Sequence, residues 1–183
     1  MWKKVLVVLL IISLVFFGAF FIVTYFAPTT YAVEKEVTVN KPKEEVFAYL
    51  KILKNQNEWG PWYKRDPGMQ QQFRGTDGQP GFVASWKGNS ETGEGEQEIK
   101  KVTEGERIET ELRFKQPWES KAETYITTEP AGENQTKVKW GMKGETPRPW
   151  NVLLLFMNMD QVIGTEFQEG LTNLKTIMES KQS

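Results

Sequence analysis

The 183-residue chain contains no cysteine and no histidine. It therefore cannot assemble a Ser-His-Asp triad, a thiol nucleophile or a Cys/His zinc site. The missing cysteines also exclude a disulfide framework and leave the redox compartment open. Aspartate is scarce, with Asp66, Asp77 and Asp160 each isolated in the sequence. Any catalysis would rest on Asp, Glu, Lys, Tyr, Ser or Thr. Gly88, Gly93 and Gly95 are not followed by Lys-Ser/Thr, so they form no phosphate-cradling loop and read as a hairpin turn. No metal site and no cofactor is implied. Internal repeats and low-complexity tracts are absent as well.

No excess of positive charge exists either. The chain has 23 Lys and Arg against 24 Asp and Glu. Setting Lys3 and Lys4 aside leaves the remainder at a net charge of −3. A nucleic-acid partner wants a basic face, so none is expected.

What is present begins at the N-terminus. Met1-Trp2-Lys3-Lys4 precedes an apolar run from Val5 to Phe26, interrupted only by Ser13, Gly18 and Thr24. As a helix this run is about 33 Å long, enough to cross a hydrocarbon core. Thr30-Tyr31-Ala32 also offers a small-residue cleavage site of the secretory type. The run exceeds the usual apolar core of such signals, which favours an uncleaved single-pass anchor. Lys3 and Lys4 place the N-terminus in the cytoplasm and the following domain on the outer side, periplasmic or extracellular, of the cell membrane. The expected organisation is a cytoplasmic Lys pair and transmembrane helix over 1–26, a tether over 27–32, and one domain over 33–183.

Within that domain, Val33, Val37 and Val39 alternate with polar residues as a first strand, with Lys35 the exception on the apolar side. Asn40 is a candidate helix cap before Pro42, Glu44 and Glu45. Val46, Phe47, Tyr49, Leu50 and Leu53 supply the apolar side of that helix. Six further strands are expected over 70–74, 82–87, 95–102, 107–114, 121–129 and 137–143. Turn signals separate them at Asp77-Gly78, Gly88-Asn89, Glu104-Gly105, Gln116-Pro117 and Ala131-Gly132. Alternation places Phe82, Ala84 and Trp86 on one face, as it does Ile108, Thr110, Leu112 and Phe114, and Val138, Trp140 and Met142. The opposite faces are charged, so the sheet is antiparallel with one wet and one buried side. A long last helix is expected from about Asn151 to Glu179, with Phe156, Met159, Ile163, Phe167, Leu171, Leu174 and Met178 as its apolar stripe. Gly164 and Gly170 permit bending or close approach.

This order is α+β: a curved antiparallel sheet of about seven strands wrapped around a long C-terminal helix, preceded by a transmembrane helix. Val37-Thr38-Val39-Asn40-Lys41-Pro42-Lys43-Glu44-Glu45-Val46-Phe47 resembles the opening of the START-like (SRPBCC) superfamily, whose fold is called helix-grip. Asn57-Glu58-Trp59-Gly60-Pro61-Trp62, Trp86-Lys87-Gly88-Asn89, the 136–140 strand and Phe167 to Lys175 resemble later signatures of its polyketide-cyclase-like branch. The resemblance implies an apolar cavity between sheet and helix that holds lipids, sterols, polyketides or similar molecules. It implies no shared catalytic set.

The candidate ligand-binding residues are Trp59, Trp62, Phe82, Trp86, Leu112, Phe114, Trp140, Met142, Phe156, Met159, Ile163 and Phe167. They serve equally as a plain core. Large aromatics pack a curved sheet imperfectly and methionine adapts to ligands of imprecise shape, which tilts the set towards a pocket. Thr110 and Thr124 could orient a ligand through their hydroxyls. Trp59, Trp62 and Tyr63 suit either a lid or a plug at one end. Trp150 with Val152 to Met157 forms an apolar patch suited to a membrane interface or to a buried helix start. The leading expectation is a membrane-anchored domain that binds a small hydrophobic molecule or lipid without catalysis. The alternatives are an enzyme of polyketide-cyclase type, with Glu96, Glu98 and Glu123 as the acids of uncertain direction, and a protein-interaction or regulatory module.

Overall fold

The first helix, α1, spans Trp2–Phe26. Its 25 residues have a mean hydropathy of 3.2 in the most apolar window, long and apolar enough to cross a membrane. The computed structural model describes residues 2–116 and 119–180. After α1 come β1 (Thr30–Val39), α2 (Lys43–Lys51), a 3-10 turn (Leu53–Asn55), and the short helices α3 (Gln56–Trp59) and α4 (Pro61–Arg65). Six strands follow: β2 (Gln70–Arg74), β3 (Val83–Lys87), β4 (Glu94–Thr103), β5 (Arg107–Gln116), β6 (Ser120–Gly132) and β7 (Gln135–Glu145). A second 3-10 turn (Trp150–Leu155) leads to α5 (Met159–Ser180). The turn expected at Gln116-Pro117 falls in part on Pro117, outside the described residues.

The chain divides into two units, residues 1–31 with 145–158, and residues 32–144 with 159–183. The second holds the seven-stranded sheet, ordered β1-β7-β6-β5-β4-β3-β2. Each successive pair from β2 to β7 is antiparallel. Register shifts after Glu94, after Ile99 and after Pro130 mark bulges. Bulges bend and twist the strand that carries them, which curves the sheet. The result is the α+β helix-grip architecture that the alternation and the terminal apolar stripe imply.

Two local expectations change. Asn40 does not cap α2, because its N–H donates to Glu179 at 2.8 Å and its side-chain oxygen accepts from Gln135 at 2.8 Å. Pro42 takes the cap position instead, and its carbonyl accepts from Val46 at 3.1 Å. The last helix starts at Met159 rather than near Asn151. Residues 150–155 form a separate 3-10 turn, in which Asn151 is fully buried and bonded to carbonyls near the end of α1.

Contacts along α5 set its direction. Lys35 Nζ donates to Asp160 at 2.8 Å, Lys175 Nζ to the Thr38 carbonyl at 2.6 Å, and the Asn40 N–H to Glu179. Helix and strand β1 therefore run the same way. Thr136 Oγ1 donates to the Lys41 carbonyl at 2.7 Å, so β7 starts where β1 ends. The first turns of α5 thus lie towards the Met142 end of β7, and its last turns towards Val138.

Candidate functional site

Residues paired directly across antiparallel strands share a face, so the inner surface of the sheet falls into rows. One row runs Val102, Ile108, Ile126, Trp140. The next is Ile99, Thr110, Thr124, Met142, and the third Phe73, Ala84, Gln97, Leu112, Ala122, Gly144. A fourth is Gln71, Trp86, Gly95, Phe114.

The half around Trp140 is solid. Trp140 stacks flat on Phe167 of α5, with centroids 3.9 Å apart and planes 3° from parallel. Trp59 meets Trp140 edge-on at 4.8 Å and Trp62 does so at 5.7 Å. Leu171 and Leu174 are fully buried alongside. Gly170 lets the helix come this close, since a Cβ there would stand 2.8 Å from the Trp140 ring. The Trp59–Tyr63 turn thus packs through Trp59 and Trp62 against Trp140. Burial pushes the Tyr63 phenol up to about 12. The Trp59 indole N–H is buried with no hydrogen-bond partner among the described residues. Phe82 is buried in a separate cluster with Leu53 and Ile99.

The other half is open. Trp86, Gln97, Leu112 and Phe114 all point inward, yet each is only half-buried, as are Met159 and Ile163 on the first turns of α5; half-buried Ala84 packs instead against the Phe82 cluster. Trp86 meets Phe114 edge-on at 5.9 Å, and its indole N–H donates to the Thr92 carbonyl at 3.0 Å. Gly95 makes room for that ring, because a Cβ there would lie 2.7 Å from it. The boundary between the halves is polar. Gln97 Nε2 donates to Thr110 Oγ1 at 2.9 Å, and the buried Thr110 and Thr124 hydroxyls share a short hydrogen bond. Asn57 donates to the inward Gln71 at 2.8 Å on the same side of the sheet.

The twelve candidate residues thus separate. Trp86, Leu112, Phe114, Met159 and Ile163 border the open half, with Met142 at its edge. Trp59, Phe82, Trp140 and Phe167 pack the closed interior, and half-buried Trp62 meets Trp140 and Phe167 edge-on at its margin. Phe156 belongs to the first unit, where it is 83% exposed. Gln97 was missed by residue type, although strict alternation with Gly95 and Ile99 already put it on the inner face.

The carboxylates turn elsewhere. Glu96, Glu98 and Glu111 all ion-pair with Arg113 on the outer face. The Arg113 and Lys100 bonds hold the Glu98 carboxyl below its usual range. Glu123 pairs across the strands with Glu111 and Lys143 on that same outer face. Asp66 accepts from the Asn89 N–H and Thr92, Asp77 from the Leu53 and Lys54 N–H groups, and Asp160 from Lys35. The inner rows of β2 to β7 therefore present Gln, Ser and Thr as their polar groups. A separate groove of about 540 Å³ runs beside α5, lined among others by Lys35, Asp160, Thr165, Gln168 and Glu169.

A curved sheet gripping a terminal helix, closed at one half and open at the other, defines a helix-grip protein of the START-like superfamily. A family model described as "Polyketide cyclase / dehydrase and lipid transport" matches residues 30–179, and the chain belongs to that family. No curated protein sequence matches it significantly. Among solved structures, truncated norcoclaurine synthase from Thalictrum flavum is similar at a TM-score of 0.62 and 11% identity, covering 86% of this chain and 98% of that one. The same enzyme in complex with dopamine and hydroxybenzaldehyde is similar at 0.58 and 12%, covering 88% and 94%. A Chromobacterium violaceum protein is similar at 0.59 and 15%, covering 82% and 98%. At these identities the likeness is one of fold.

Proposed function

We propose that this chain is a membrane-anchored binding domain that holds a lipid or other small hydrophobic molecule on the open half of its concave face. The observation that carries this reading is the inward surface of Trp86, Leu112, Phe114, Met159 and Ile163, which stays half-exposed beside a fully packed core. An apolar surface left wet costs roughly 25 cal/mol per Å², a cost that a bound apolar molecule removes. The Gln97–Thr110–Thr124 chain supplies the few polar contacts that fix a ligand's orientation. The family description includes lipid transport, and one protein of this fold is known in complex with small aromatic molecules.

In this reading α1 is an uncleaved anchor, with Lys3 and Lys4 in the cytoplasm and the domain outside. Trp2 and Tyr25, near opposite ends of α1, suit the two membrane interfaces. Tethering keeps the binding face at high effective concentration near molecules dissolved in the bilayer. An enzymatic reading needs an acid or base beside the ligand. In this reading the amide and hydroxyl groups of the inner rows of β2 to β7 orient the ligand rather than transfer protons.

The test is native mass spectrometry and organic extraction of the full chain purified from membranes, beside Leu112→Trp, in which a large side chain occupies the open half. A hydrophobic molecule bound one-to-one and lost in Leu112→Trp is the expected result. Equal lipid content in both proteins would sink the reading.

A further inference from the structure

Within the unit formed by residues 1–31 and 145–158, the end of α1 is bound by side chains from the far end of the sequence. Arg148 Nε donates to the Thr24 carbonyl at 3.2 Å and Arg148 Nη2 to the Tyr25 carbonyl at 3.0 Å. Asn151 Nδ2 donates to the carbonyls of Thr24 at 2.7 Å and Ala27 at 3.0 Å. The Arg148 guanidinium also sits 5.5 Å from the centre of the Tyr25 ring, and the Thr146 N–H reaches the Thr29 carbonyl at 2.8 Å. The last carbonyls of a helix have no partner within the helix. In or near hydrocarbon each such group costs several kcal/mol unless satisfied. Arg148 and Asn151 satisfy those of Thr24 and Tyr25, and the Ala27 N–H that of Val23.

The same segment then turns outward. Trp150 is 65% exposed, and Leu153, Leu155, Phe156 and Met157 are exposed beside it. No charged residue lies between Arg148 and Asp160. A cluster of this kind on a soluble surface marks a contact site. At about 2 Å rise per residue, the 3-10 turn over Trp150–Leu155 extends only about 12 Å, far too short to cross a bilayer. It has the composition of an interfacial element: tryptophan and arginine flank apolar side chains with no charge among them.

We infer that residues 150–157 are a second membrane contact, seated in the outer leaflet beside the end of α1 and held there by the Arg148 and Asn151 bonds. This rests on α1 crossing the bilayer. Lipid is the occupant because the patch is continuous with α1: its own hydrogen bonds fix it to the carbonyls where the apolar helix ends. The anchor thus becomes a two-part device, a spanning helix and a shallow shelf.

The chain has no native cysteine, so single cysteines can be placed and labelled with an environment-sensitive fluorophore. Leu155→Cys probes the shelf, Val15→Cys the middle of α1, and Lys100→Cys the solvent-facing sheet. The full chain is reconstituted in phosphatidylcholine–phosphatidylglycerol vesicles containing shallow or deep nitroxide lipids, with iodide as the aqueous quencher. The label at 155 is expected to be quenched several-fold more by shallow nitroxide than by iodide, while the label at 15 responds to deep nitroxide and the label at 100 to iodide. If the label at 155 behaves like the one at 100 while the label at 15 stays deep, the shelf is wrong and the anchor stands. A label at 155 shielded from both quenchers means that protein covers the patch, which also overturns the inference. An iodide-accessible label at 15 overturns the anchor and the shelf together.

Discussion

Lys35 reaches across Gly164 to Asp160. Its Nζ bonds the carboxylate at 2.8 Å, and its stem passes so close that a Cβ on Gly164 would stand 2.6 Å from Lys35 Cε. This explains how a lysine fits on the apolar side of β1: the stem lies on the helix and the charge meets the Asp160 carboxylate in the helix's first turn. Gly170, further along α5, meets rigid rings instead. A Cβ there would lie 2.8 Å from Trp140 and 3.4 Å from Pro61 and Trp59.

The two glycines should therefore respond differently to one substitution. In Gly164→Ala the lysine tip can swing aside, losing an ion pair worth at most about 1 kcal/mol and gaining about 1 kcal/mol of helix propensity. The expected change in stability is close to zero. In Gly170→Ala the rings cannot yield, and overpacking of about 1–3 kcal/mol outweighs the propensity gain. Urea denaturation of the two variants checks the contrast, and equal midpoints would refute it.

Trp140 and Phe114 distinguish the core from the proposed site. Trp140→Ala removes the ring that joins α5, Trp59 and Trp62, and should destabilise by about 3–5 kcal/mol. Phe114→Ala, on the half-buried side, should cost only about 1–2 kcal/mol and should act mainly on ligand retention. Paired thermal melts and ligand extraction would show whether the two effects divide this way.

Thr110→Val keeps the side chain's shape while removing the hydroxyl that links Gln97 to Thr124. The buried Thr124 and the half-buried Gln97 each lose a partner, at about 1–3 kcal/mol in stability. Bound molecules with a polar head should be lost more than purely apolar ones, a shift that mass spectrometry of extracted ligands would record. An unchanged ligand profile would remove these threonines from the site.

Alkaline pH should unfold the domain in a window set partly by Tyr63. Burial raises its pKa to about 12, above the ordinary value of 10.0. The folded state holds this proton more tightly than the unfolded state. The stabilisation is complete below pH 10 and is lost as the pH rises through about 12. It amounts to roughly 2–3 kcal/mol at 1.36 kcal/mol per unit. Tyr63→Phe should flatten the fall in stability over that window, as followed by circular dichroism.

Much of this was legible from residue order. Period-two alternation marked the strands because each must wet one face and bury the other. It also held the signal for Gln97, which sits between Gly95 and Ile99 but was hidden by the acids around it. The start of α5 was not legible. Phe156 continues the three-and-four spacing of the stripe, so periodicity alone carries the helix too far back. In the structure residues 150–155 form a separate 3-10 turn, whose Asn151 amide is engaged with carbonyls near the end of α1, more than a hundred residues away in sequence. The Arg113 cluster was equally hidden, because its Glu96 and Glu98 partners lie on a neighbouring strand and depend on register.

Residue order alone determined the length of the apolar N-terminal helix, the seven strands, the terminal amphipathic helix and the chemistries lacking for want of histidine and cysteine. These follow from local spacing and composition, which act over a few residues. Only the tertiary structure decided which half of the concave face is solid and which is open. That division depends on where Trp59, Trp140 and Phe167 meet, and no local pattern encodes the meeting of three distant rings.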